Sequence, residues 1–464
     1  MGSDPSGGAL PVTALHPPEE VTTLHTTGSR IATITRPWAV RLILLAVLAA
    51  AFLGAQAIIA NQAQSAPITK FIVNSVGDDV DDDIGDGDCD TGATVVDPNG
   101  VVLIECTLRA AIEEANAILA DEINFNPKVF SPATIELTAD LPSILVELVI
   151  DATGATVIVD GNSQAWHVFE VFAGHDDFDF SLIGGGSTMT IVDSGSISGT
   201  GEGDGVLVCA SLTDPCPSGA LGDTLDFSLG NIIIDGVDIS GVSDDGVDIR
   251  GRNLKNIVVT DGEITGGDNG VIVRAFGDGG GVTGDLGNNS VEVSDSTIRG
   301  EGGDGVHLSF NGDLGSKIHA NVINNDLIVG EGSGDDGVNL SYCGESLFFG
   351  NCSVVDSTIN FNVTGNLDLT GSDDDGIDID IDADEAAPGS HAAEININIT
   401  GNGPIDGDTD EGVDVNVDVA GSSDSTVITH IDGNGDIVGG DKGVGVVQNV
   451  GDDSDNTSIV TVNV

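Results

Sequence analysis

Ionisable residues of both signs gather in one stretch of the chain: Asp244 and Asp245 stand just before Asp248 and Arg250, Arg274 follows, and His307 lies beyond it. Paired carboxylates can serve as general acid and general base on a glycosidic bond, their separation setting the stereochemistry. A positioned arginine can neutralise an acidic sugar, or take a proton once its pKa is depressed. The plainer reading of the same residues is electrostatic. Arg250, Arg252, Lys255, Arg274 and Arg299 would offset the acid-rich turns around them through exposed ion pairs worth about 0 to 1 kcal/mol each. An acidic pair before glycine recurs along the chain, whereas a catalytic pair is needed once, so the recurrence favours a structural device.

The same acidic turns suggest calcium. The densest are DDVDDDIGDGD with Asp83, Asp86 and Asp88, then Asp336, then SDDDGIDIDIDADE with Asp373, Asp374 and Asp375, and DTDEG with Asp410. Ca²⁺ takes six to eight oxygen ligands at about 2.3 to 2.6 Å, which carboxylates and turn carbonyls can supply. None of these segments has the EF-hand spacing. The competing reading is a solvated acidic surface adapted to high salt, where screening weakens the repulsion.

Composition narrows the partners and the class. The chain has 464 residues with 76 Asp+Glu against 13 Lys+Arg, a formal net charge of -63, which excludes nucleic acid as a natural partner because phosphate binding needs basic residues. Yet 40% of the residues are hydrophobic and the mean hydropathy is +0.15, above the range in which a chain cannot bury a core. Glycine supplies 66 residues, about twice its usual ~7% share, while aromatics are 4%, so many short strands joined by tight turns are expected.

The elements that must position the acids repeat. An acidic turn, glycine and then alternating Val or Ile recurs eight times: GDGVLV, DDGVDI, DNGVIV, GDGVHL, DDGVNL, DDGIDI, DEGVDV and DKGVGV. The first apolar residues are Val206, Val247, Val271, Val306, Val338, Ile377, Val413 and Val444, with steps between 24 and 41 that average 34. Two further strand-like runs and no helical pattern fill each interval. These features predict an all-β fold, a right-handed parallel β-helix with three strands per coil, since stacked coils tolerate loops of variable length. Alternation places Val247 and Ile249 inward and Asp248 and Arg250 outward, and likewise Val306 and Leu308 against His307 and Ser309. Acids at Asp245, Asp336, Asp375 and Glu411 would then stack about 4.8 Å apart, a repulsion of about 3 to 4 kcal/mol at an effective dielectric of 20 unless a cation bridges them. Aromatic platforms are sparse in the repeats, and the run from Tyr342 to Phe349 reads either as a small binding patch or as core packing.

Upstream, CTLRAAIEEANAILA places Leu108, Ala111, Ile112, Ala115 and Leu119 on one helical face, as a cap over the first coil would require. Residues 1–36 are polar and expected to be disordered. Residues 37–60 combine a basic flank, an apolar run and Ala55-Gln-Ala57, which reads as a secretory signal or, uncleaved, as a membrane anchor. The chain stops in a strand-like run, TSIVTVNV, which implies a fragment or a partner over that end. Six cysteines fall in neighbouring pairs, Cys89 with Cys106, Cys209 with Cys216 and Cys343 with Cys352, and an even count in an exported chain favours disulfides between neighbours.

FIVNSVGDDVDDDIGDGDCD, CTLRAAIEEANA and IELTADLPSILVELVIDATGATVIVDG together resemble the N-terminal CSLREA region of bacterial surface and secreted proteins, over about residues 69 to 175. Ala110 stands where that family usually has Glu. The resemblance implies export and a following β-helix of the pectin-lyase-like type. The expected organisation is therefore a cap with the first coils over 67–175 and repeats over 176–464. The functions expected are a cell-surface or extracellular structural, adhesive or carbohydrate-contacting module stabilised by Ca²⁺, or alternatively a polysaccharide lyase or glycoside hydrolase using Asp244, Asp245, Asp248, Arg250, Arg274 and His307. A polysaccharide or cell-surface ligand is the implied partner, with the membrane touched only through the N-terminal segment.

Overall fold

The computed structural model describes residues 69–463, apart from 164–166, 186–188, 193, 195–202, 211–226, 277–287, 312–315, 343–356, 383–392, 420–424 and 451–456. The expected leader at 37–60 lies outside the described residues. So do Cys216, Cys343 and Cys352. Among the described residues no helix is long and apolar enough to cross a membrane.

Three parallel sheets of 12, 10 and 9 strands make up most of the described chain, and from Phe169 onward consecutive strands visit the three sheets in turn. The fold is a parallel β-helix with three strands per coil. Its register follows from the repeated phrase. Val206, Val247, Val271, Val306, Val338, Ile377, Val413 and Val444 occupy one column of the 9-stranded sheet, and Val208, Ile249, Val273, Leu308, Leu340, Ile379, Val415 and Val446 occupy the next inward column. A slip of one residue would turn every one of these side chains out of the core, so the alternation fixes the stacking. The steps vary because the corner after this sheet varies. After the strand Val247–Gly251 the next strand begins at Leu254, giving the shortest step, whereas after Val338–Tyr342 it begins only at Thr358.

The helix Leu108–Ile118 is capped by the Thr107 hydroxyl, which accepts from the Ala110 amide at 3.1 Å, and ends at Leu119 in the left-handed region. Leu108, Ala111, Ile112 and Ala115 join the same core as the coils, so the helix covers the first coil as the sequence implied. Arg109 explains the cysteine-leucine-arginine motif. Its guanidinium holds the Asp78 carboxylate at 2.9 Å and the carbonyls of Ala139 and Asp140 at 2.9 and 2.6 Å, tying the acidic loop to the turn before Leu141-Pro142. Cys89 and Cys106 form a disulfide, the expected neighbour pair, and Cys209 is also disulfide-bonded.

Candidate functional site: a ladder of buried acids

The residue two places before each inward Val or Ile of the 9-stranded sheet forms a column along the coils. Asp204, Asp245, Asn269, Asp304, Asp336, Asp375 and Glu411 are all buried there. The backbone amide of each, from Asp245 to Glu411, donates to the side-chain Oδ1 of the residue one coil earlier at 2.7 to 3.1 Å. The glycine that follows leaves no room for a side chain: a Cβ at Gly246 would stand 2.5 Å from the Gly270 carbonyl oxygen. The expected stack of Asp245, Asp336, Asp375 and Glu411 is therefore present, extended by Asp204, Asn269 and Asp304. What the spacing alone did not show is that a backbone amide satisfies one oxygen of each carboxylate from Asp204 to Asp375.

The second oxygen depends on the residue three places later. At Asp304 that residue is His307, whose Nδ1 lies 2.7 Å from Oδ2, and at Asp336 it is Asn339, whose amide donates to Oδ2 at 2.9 Å. At Asp245, Asp375 and Glu411 it is another carboxylate, Asp248, Asp378 or Asp414. Glu411 is the exception, because its hydrogen bond with Asp410 and then Lys442 Nζ, which donates to its Oε1, lower its pKa. Burial and neighbouring acids hold Asp245, Asp336, Asp375 and Asp378 protonated to unusually high pH. Burial, then the charges of Asp248 and Asp204, pushes Asp245 well up. Burial followed by Asp304 and Asp378 raises Asp336 to about 10. Burial raises Asp375 to about 7, against the Glu411 amide, and Asp378 to about 8 with help from Asp375 and Asp414.

Four groups of acids offer oxygens that all lie within 4.8 Å of one another: Asp204, Asp244 and Asp245; Asp336, Asp374 and Asp375; Asp375, Asp410 and Glu411; and Asp375, Asp378 and Asp414. Oxygens sharing one Ca²⁺ at about 2.4 Å lie up to about 4.8 Å apart, so each group has a spacing that a metal ion could hold. Of the residues singled out for calcium, Asp336, Asp374, Asp375 and Asp410 fall in these groups. Asp410 is pushed up to about 6, first by its hydrogen bond with Glu411. Asp373 is exposed and lies outside them. Asp83, Asp86 and Asp88 also lie outside them, on an exposed loop held by the helix instead. Glu113 accepts from the Asp81 amide at 2.8 Å, and Glu114, fully buried, accepts from the amides of Gly85 and Gly87. Both glycines take positive φ, 96° and 93°, which turns their two N–H groups onto one carboxylate.

The candidates read as catalytic are brought together in part. Asp248 Oδ2 accepts from Arg250 Nε at 2.7 Å and from Arg250 Nη2, and Arg274 Nη1 approaches it to 3.4 Å. Burial opposes the charge on Arg250, yet Asp248 holds its pKa above the ordinary value. Asp244, half-buried, is pushed up to about 7 by burial and then by Asp204, Asp268 and Asp248. His307 instead joins Asp304 two coils along. The expectation of exposed ion pairs holds for Lys255 with Asp177 and for Arg299 with Glu331 and is corrected for Arg250, since Asp248 is 0% exposed and Arg250 8%. Outward of the core they are still covered, as are their column neighbours Leu207, Ile272 and Ser309. Tyr342, Phe310 and Phe361 are core residues, so packing is the role of the described part of the aromatic run.

A second ladder escaped the sequence reading. Asn325, Asn366, Asn402 and Asn434 stack at the corner between the 12- and 10-stranded sheets. Each side-chain oxygen from Asn366 to Asn434 accepts both the backbone amide and the side-chain amide of the asparagine one coil earlier, at 2.9 to 3.0 Å. The Nδ2 groups of Asn325, Asn366, Asn402 and Asn434 also donate to strand carbonyls of an earlier coil, those of Val293, Val322, Val363 and Ile399 respectively. The signal was available: these asparagines recur at 41, 36 and 32 residues, in step with the Gly-Val phrases.

No family model, no curated protein and no solved structure matches the chain.

Proposed function

We propose that the chain is an exported, extracellular or cell-surface β-helix that serves as a rigid structural, adhesive or carbohydrate-contacting module, and that Ca²⁺ bound along its acid ladder stiffens the C-terminal coils. The observation that carries this reading is the overlap of three acid groups on Asp375, which between them join Asp336, Asp374, Asp378, Asp410, Glu411 and Asp414. Successive coils are thereby linked by carboxylates that repel when ionised, at about 3 to 4 kcal/mol per adjacent pair for an effective dielectric of 20. A hard divalent ion turns that repulsion into cross-linking. Export is supported by the leader at 37–60, the CSLREA-like signature and the Cys89–Cys106 disulfide, a bond of oxidising compartments. The alternative of a polysaccharide lyase or glycoside hydrolase is weakened by the burial of Asp248 beneath Arg250, which commits both residues to each other.

Thermal unfolding of the purified chain in millimolar Ca²⁺ and again after chelation tests the proposal. The expected result is a melting temperature lower by several degrees without the metal. An unchanged melting temperature refutes the calcium part. Release of reducing or unsaturated ends from a panel of acidic and neutral polysaccharides, lost in Arg250→Ala, would replace the module reading with an enzymatic one.

A further inference from the structure

The acids near the N-terminal end of the ladder point to a site of a different kind from the C-terminal rungs. We propose that Asp204, Asp244, Asp245 and Asp248 form a closed binding site for a single hard divalent cation of the Ca²⁺ type, with Arg250 and Arg274 as the second layer that holds Asp248 in place. The first observation is the spacing of Asp204, Asp244 and Asp245, whose oxygens lie within 4.8 Å of one another. The second is independent. Asp248 is 0% exposed, its Oδ2 faces both guanidinium groups, and no donor reaches its Oδ1. A buried carboxylate oxygen without a partner is costly and calls for a ligand.

The register shows where that oxygen is aimed. Asp248 stands three residues after ladder residue Asp245, the place from which His307 reaches Oδ2 of Asp304 and Asn339 reaches Oδ2 of Asp336. A side chain at this position thus meets the second oxygen of its own rung. Where that side chain is a donor, the rung closes on itself; where it is Asp248, two carboxylates meet and a cation completes them. Half-buried Asp244 is the ligand that opens toward solvent, and so provides the entry.

The inference does not depend on calcium at the C-terminal rungs, and one measurement separates the two. In crystals of the full chain soaked with Tb³⁺, anomalous scattering should show a peak within coordination distance of Asp204, Asp244, Asp245 and Asp248. Absence of that peak overturns the inference whatever is found near Asp375, and absence of peaks near Asp375 alone refutes only the C-terminal reading. By native mass spectrometry in Ca²⁺, Asp244→Asn should carry one ion fewer than the wild type, because Asp244 is half-exposed and its loss leaves the core intact. An unchanged ion count in that variant also overturns the site.

Discussion

Two side-chain ladders run along this β-helix, one of asparagine and one of acid, and they solve the same problem with different success. Both place a polar side chain at a coil corner, where it accepts a backbone N–H from the adjacent coil. Asparagine also donates, so Asn366 satisfies Asn325, Asn402 and the Val322 carbonyl at once, and every rung resembles the next. A carboxylate only accepts. Its second oxygen must find a donor elsewhere, and the chain supplies His307 to Asp304, Asn339 to Asp336 and Lys442 to Glu411, but places another carboxylate, Asp248 or Asp378, three residues after Asp245 and Asp375. The neutral ladder is complete from protein atoms alone, whereas the acid ladder is complete only with protons or cations. That makes the first a fixed device and the second one that responds to its medium.

The strongest way to break the comparison is to remove a rung of the neutral ladder. Asn366→Ala should destabilise the chain by about 3 kcal/mol or more, because it strands a buried carbonyl and two buried donors, and neither pH nor Ca²⁺ should restore the loss. Urea unfolding midpoints at constant slope would measure it. A loss that disappears in Ca²⁺ would mean that the two ladders are not distinct.

A pH scan in metal-free buffer comes next. Asp375 at about 7 and Asp378 at about 8 lie far above the ~3.9 of an unfolded aspartate, so the folded state binds more protons between those values. Stability from these groups is therefore full below about pH 4 and is lost as pH rises through 7 to 8. The melting temperature should fall from pH 5 to pH 8 without metal and change less in Ca²⁺. A metal-free melting temperature that rises over that interval would contradict the burial of ionisable acid rungs.

The smallest effect is expected at a rung that already has its donor. His307→Leu should cost about 1 to 2 kcal/mol by removing the partner of Asp304, and His307→Asn, the residue type found at Asn339, should recover most of it. Equal losses in both variants would show that His307 acts by packing rather than by donating.

Much of this was legible in the sequence. The Val206-to-Val444 series fixed coil number, register and inward columns because strand alternation has a period of two and only one register buries it. It also located the acid stack at Asp245, Asp336, Asp375 and Glu411. It did not separate Asp375 from Asp83, although both lie in acid-rich runs, because loop acids held by Glu113 and Glu114 look the same in one dimension as acids stacked between coils. The asparagine recurrence passed unnoticed beside the longer Gly-Val phrase.

By itself, then, the chain determined a three-stranded coil, its capping helix and a column of acids one coil apart. Only the tertiary structure decided which of those acids meets a donor and which meets another acid, and that Asp248 and Arg250 face outward yet lie covered. The reason is that burial and hydrogen-bond partners belong to neighbours one coil away, at 24 to 41 residues' separation, where spacing is variable and composition carries no direction.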